Sequence, residues 1–126
     1  PNRMEAELLS GVKIETEADV ERAADRLLAT GLQQVYISMG GDGVFAKNAD
    51  GETARVSCPH VTVANATGGG DAMAAALAAC ITRGDPLREC ARLAIGAGAL
   101  ACTSEETIHS GMSWENINYI LNKEEL

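Results

Sequence analysis

Asn65-Ala-Thr-Gly-Gly-Gly-Asp71-Ala-Met73 decides how this chain is read. Three glycines run straight into an acid. An alanine-rich stretch from Ala72 to Arg83 follows, with the composition of a helix. Glycine lets backbone N–H groups approach a ligand closely. A helix N-terminus adds unpaired N–H donors and a partial positive charge. Gly68, Gly69 and Gly70 are therefore candidates for an anion site of phosphate size. Asp71 would stand where a transferred phosphoryl group is held. A carboxylate beside an anion site is unfavourable unless it acts on a hydroxyl or a metal. The pairing points to phosphoryl transfer to an alcohol. The plainer reading is a strand-to-helix connection, with an acid favoured in the first turn anyway. Three successive glycines cost chain entropy unless the backbone conformation demands them, which favours the phosphate site. A Walker A loop would need Gly-Lys-Ser/Thr, and that is absent.

Upstream, Val61 to Ala64 reads as a strand leading into the glycines. Val35 to Met39 is a short apolar run, read as a buried strand. Gly40-Gly41-Asp42-Gly43 is a tight turn, Val44 to Lys47 a second strand, Asp50-Gly51 a hairpin turn and Thr53 to Ser57 a third strand. The Gly40–Gly43 turn invites a dinucleotide-binding reading. That fingerprint needs a helix directly after the glycines, and Val44-Phe45-Ala46 continues as a strand. A nucleotide can still lie over this turn, with Ser38 and Gly40 near its phosphates.

Nearer the start, Asn2-Arg3-Met4-Glu5 opens a short helix ending at Ser10-Gly11. Asn at the N-cap with Glu three residues on resembles a capping box and needs no ligand. The functional reading has Glu5 organising water around Mg2+, an ion that keeps several waters and takes few carboxylates. Thr16 to Asp19 is a second capping-box pattern. Val20, Ala23, Ala24, Leu27 and Leu28 then fall on one helical face that Gly31 ends. Downstream, Gly84 ends the alanine-rich helix. Pro86 fits the first turn of the next helix, which runs to about Cys102. Ser113 caps a last helix through Leu121. Helices alternating with strands predict an α/β layered domain with a mostly parallel sheet.

The chain's 126 residues suffice for one domain with a core. Aromatic residues are only 3%, so that core should be Ala, Leu, Val and Ile. A net charge of −8 argues against a nucleic acid polymer as partner, while leaving a small phosphorylated ligand open. No apolar run is long enough to span a membrane, and no signal-peptide pattern is present. Cys58, Cys80, Cys90 and Cys102 form no C-x-x-C pair, and His60 and His109 are the only histidines. Zinc is therefore not expected; Cys80, Cys90 and Cys102, set among apolar residues, read as reduced core thiols in a cytoplasmic protein. Glu105-Glu106 and Asp50 with Glu52 read as solvated surface. A start at Pro1, directly into a motif, suggests a piece of a longer protein.

Three motifs resemble those of the PfkB (ribokinase-like) carbohydrate kinases, and they stand in that family's order. Asn65 to Asp71 is similar to its D-T-x-G-A-G-D signature, Asn2-x-x-Glu5 to its N-x-x-E magnesium motif, and Ser38-Met-Gly40-x-x-Gly43 to its T-x-G-x-x-G nucleotide turn. The resemblance implies the C-terminal part of a ribokinase-like layered fold over residues 1–126, without the N-terminal half that carries the lid. It implies ATP and Mg2+ as cofactors and a sugar or nucleoside as small-molecule substrate. A homodimer through that lid would go with it. It makes Asp71 the base and the Gly68, Gly69 and Gly70 amides the anion hole. Asn2, Ser38, Gly40, Gly43 and Gly70 would lie along the nucleotide, and Glu5 would help place the metal. Asn65-Ala66 replaces the usual Asp-Thr, where the aspartate often helps bind a monovalent cation, so potassium activation is left in question. Gly69 replaces Ala. Met73 stands where sugar kinases of the family more often have Phe.

Overall fold

The computed structural model describes residues 1–64, 68–103 and 111–125. Two helices open the chain, α1 (Arg3–Ser10) and α2 (Glu17–Leu28). Strands β1 (Gln34–Ser38), β2 (Val44–Asn48) and β3 (Thr53–Val56) follow, and then helices α3 (Gly69–Arg83), α4 (Leu87–Ala101) and α5 (Trp114–Glu125).

Both capping boxes form. Asn2 Oδ1 accepts the Glu5 amide at 2.8 Å while Glu5 Oε1 accepts the Asn2 amide at 2.9 Å. Thr16 and Asp19 make the same reciprocal pair at the start of α2. Each cap is worth about 1 kcal/mol of helix stability. Ser113 Oγ accepts the Asn116 amide at 3.1 Å, the expected cap of α5, which runs on past Leu121 to Glu125.

The sheet is antiparallel throughout, in the order β1-β2-β3, where the sequence predicted a mostly parallel one. The turns explain it. A parallel neighbour needs a crossover of a dozen or more residues, and β1, β2 and β3 are joined by the Gly40–Gly43 and Asn48–Glu52 turns. The one parallel contact among the described residues is an isolated bridge from Asn2 to Ser38, beside a bond in which the Ser38 amide donates to Pro1 O at 3.0 Å. Val61 to Ala64 is also not a strand. It runs as irregular chain with Val63 60% exposed, pairing with no strand among the described residues.

Alternation along the strands separates two cores. Val35, Ile37 and Phe45 point to α1 and α2, where they meet Ala6, Val20, Ala23, Ala24 and Leu27. Tyr36, Val44, Ala46 and Ala54 point to the other face, against α4 and its neighbours. Lys47 ties β2 to α2 through Glu21 at 2.8 Å and Asp25 at 2.7 Å. α4 is the central helix, buried from Leu93 through Ala101 without a break. Gly96 and Gly98 let its neighbours in. A Cβ on Gly96 would come within 2.9 Å of Ile117 and Leu121 on α5, and one on Gly98 within 2.7 Å of Met73 on α3. A mid-helix glycine costs about 1 kcal/mol against alanine, so these two positions are held by close packing. Cys80 and Cys90, both free and buried, meet where α3 and α4 run side by side. Burial, helped by the neighbouring Cys90, pushes the Cys80 thiol up to about 11, which keeps it protonated and unreactive.

Candidate active site

The glycine run opens α3. Gly68 is its N-cap at φ 95°, a left-handed conformation that glycine adopts without strain. Having no side chain, Gly68 supplies no cap of its own. The Gly68, Gly69, Gly70 and Asp71 amides precede the first intrahelical bond, which the Ala72 amide donates to Gly68 O at 3.0 Å. Asp71 lies in this first turn and is exposed, as is Gly70, while Gly69 is buried. Donors and carboxylate therefore share one helix end, as the sequence predicted. Asn65, Ala66 and Thr67 lie outside the described residues, as do Glu105, Glu106 and His109.

Asn2, Glu5, Ser38, Gly40 and Gly43 form a second group at one end of the sheet. The bridge from Asn2 to Ser38 sets the α1 cap beside β1. A single 3-10 turn over Gly40–Asp42 carries β1 into β2, closed by Met39 N–H to Gly43 O at 2.8 Å and Gly43 N–H to Gly40 O at 3.1 Å. Gly40 (φ 55°) and Gly43 (φ 91°) are both left-handed. Asn2 and Gly40 are exposed, Ser38 is half-buried and Gly43 is buried. Glu5 is exposed and its capping bond occupies one of its two carboxylate oxygens. Among the described residues no three His, Cys, Asp or Glu side chains gather around a point, so a metal here would rest on Glu5, waters and ligand oxygens. That donor set suits Mg2+. No described hydrogen bond joins this group directly to the α3 turn. One open cleft borders the Gly40–Gly43 turn, lined by Arg3, Met39, Asp42 and Arg55 among others, while two more are lined by Lys13, Arg22 and Arg26 and by His60, Arg88 and Arg92.

Several supporting residues escaped the sequence reading. Arg55 lies behind the Gly40–Gly43 turn: its Nη1 donates to Val56 O at 3.3 Å, and its guanidinium forks the Glu17 carboxylate at 3.2–3.3 Å. Val56 O lies only 2.0 Å from where a Cβ on Gly43 would stand. Gly98 and Cys102 seat the start of α3. Two glycines within a buried helix were the available signal for Gly98; nothing local marked Arg55 or Cys102.

Glycine turns thus stand at one end of the sheet and at a helix start, with a carboxylate in that helix's first turn. The chain matches the model of the pfkB family of carbohydrate kinases over residues 1–115. It belongs to that family. Among curated proteins it is 39% identical to the pseudouridine kinase of Escherichia coli over 117 residues, 93% of this chain and 37% of that enzyme. It is 36% identical to the 1-phosphofructokinase of Escherichia coli over 101 residues, 80% of this chain and 32% of that enzyme. Among solved structures, a Clostridium perfringens protein described as a sugar kinase superposes with TM-score 0.90 at 31% identity, over 98% of this chain and 39% of that one. Arabidopsis thaliana ribokinase complexed with ribose and ATP superposes with TM-score 0.85 at 27% identity, over 96% of this chain and 39% of that one. Its structural neighbours are ribokinase-like kinases, and this α/β chain spans less than two-fifths of the length of these relatives.

Proposed function

We propose that this chain is the C-terminal nucleotide-binding and catalytic part of an ATP-dependent kinase that phosphorylates the ribose 5-hydroxyl of pseudouridine. The observation that carries the reading is the Gly68–Asp71 turn, which joins backbone donors and an exposed carboxylate at one helix end in a member of this family. Asp71 accepts the proton of the acceptor hydroxyl. The Gly68, Gly69 and Gly70 amides hold the charge on the transferred group. Asn2, Ser38, Gly40, Gly43 and Gly70 lie along the ATP phosphates. Glu5 would help hold Mg2+ through ordered water, and the ion would supply neutralisation of phosphate charge. Phosphoryl transfer asks a protein mainly for positioning and charge stabilisation, and these residues supply both. Free buried thiols at Cys80 and Cys90 suit a reducing cytoplasm.

Pseudouridine is favoured by the 39% identity to that kinase and by Met73, where sugar kinases of the family more often have Phe. The match to 1-phosphofructokinase favours a second reading, a kinase acting on a sugar phosphate. Assaying the full-length enzyme against a panel of nucleosides and sugar phosphates separates the two. The 126-residue chain alone is expected to transfer nothing, because closing a site excludes water and aligns the acceptor. Transfer by the chain alone at the full-length rate would contradict that.

Glu5→Gln is expected to raise the magnesium requirement of the full-length enzyme while lowering stability by no more than about 1 kcal/mol. A magnesium titration checks it. An unchanged titration curve would reduce Glu5 to the helix cap that its bond with Asn2 already makes it.

A further inference from the structure

We propose that Cys102 is a positioning residue for the glycine turn, matched in size to Gly69. The proposal rests on reading Gly68–Asp71 as the phosphate site. Two contacts, one from the backbone and one from the side chain, converge on Cys102 at the end of α4. Its carbonyl accepts the Ala64 amide at 2.8 Å, fixing the chain ahead of the glycines. Its thiol lies 3.2 Å from where a Cβ on Gly69 would stand, and the same Cβ would lie 3.5 Å from Gly98 O. The first of these is tighter than ordinary van der Waals contact. On the facing side, a Cβ on Gly98 would meet Met73 Cγ at 2.7 Å and Gly69 O at 3.3 Å. The start of α3 thus packs closely against the last turn of α4. Cys102 is half-buried and its thiol is free. The amides of Gly69 and Gly70 can point at a ligand only from the orientation this seat imposes.

The sign of a substitution follows from the fit. Position 69 is the first residue of α3 and its φ is not left-handed, so alanine, the better helix former, would ordinarily be welcome there. Beside Cys102 it is crowded, and the thiol or the helix start must give by a few tenths of an ångström. Cys102→Ala with Gly69 kept leaves a gap in the same place. Each single substitution loosens the turn, and the double substitution refills it.

The test is a double-mutant cycle of Gly69→Ala and Cys102→Ala in the full chain, read by hydrogen–deuterium exchange of the peptide covering residues 68–73. Each single variant is expected to exchange about fivefold faster than wild type, and the double variant to return to within about twofold. Singles that match wild type, or a double variant at least as fast as the faster single, would overturn the proposal. A parallel calorimetric titration with Mg-ATP keeps the two readings apart. Affinity should fall about fivefold or more in the singles and recover in the double variant. A wild-type protein that binds no Mg-ATP would remove the phosphate-site reading, while the exchange cycle would still decide whether residues 69 and 102 are coupled.

Discussion

Asp71→Asn should lower the turnover of the full-length kinase by about 100-fold or more, the scale of a lost general base, while changing ATP affinity little. Asparagine matches aspartate in size and keeps its place in the first turn of α3. It cannot accept the proton of the acceptor hydroxyl. The neighbouring amides of Gly68, Gly69 and Gly70 are backbone groups and survive the substitution, so on the proposed reading phosphate binding should be retained. A fall in kcat with an unchanged dissociation constant for ATP is the signature of a group that acts in the transition state. Single-turnover kinetics beside calorimetry separates the two quantities. Asp71 is exposed, so the substitution leaves no buried polar group unsatisfied, and the melting temperature should move little.

Gly43→Ala should disrupt the other half of the site. At φ 91° and ψ −145° an L side chain is strained, and its Cβ would meet Val56 O at 2.0 Å and Cys58 N at 3.0 Å. Both are backbone atoms, so neither can swing aside. Strain and overlap together should cost roughly 2–5 kcal/mol. The loss should appear in denaturant unfolding and in weakened ATP affinity, because Gly43 closes the turn beside Ser38 and Gly40. Gly41 provides the control. It lies two residues away, has an ordinary φ and has nothing within 4 Å of where an added methyl group would stand. Gly41→Ala should stay within about 0.5 kcal/mol of wild type. Equal stability of the two variants would show that the turn is not constrained by its contact with β3.

What could be read from the sequence was local. Asn2 with Glu5 and Thr16 with Asp19 are capping pairs whose partners lie three residues apart, and both formed as read. Ser113 at α5 and the left-handed glycines at 11 and 84 are of the same kind. The antiparallel sheet was in principle legible too, since turns as short as Gly40–Gly43 and Asn48–Glu52 cannot cross over to a parallel neighbour. Alternation of strand and helix patterns pointed the other way, and turn length is the stronger constraint. Val61 to Ala64 has strand composition, but composition supplies no hydrogen-bonding partner. The candidate site divides along the same line. Gly68 to Asp71 and Gly40 to Gly43 announced themselves by residue type. The residues that seat them did not: Cys102 meets Gly69, Gly98 meets Met73 and Arg55 meets Glu17 across long stretches of chain, and only the packed helices and sheet bring them together.

The most direct test of the central claim, that Asp71 and the glycine turn transfer phosphate to an alcohol, follows the γ-phosphate itself. The full-length kinase is incubated with γ-labelled ATP, Mg2+ and pseudouridine, beside its Asp71→Asn variant. The expected result is label on the ribose 5-hydroxyl with the native enzyme and about 100-fold slower labelling with the variant. Labelling by the Asp71→Asn variant at the native rate, or no label on pseudouridine with the native enzyme, would contradict the account.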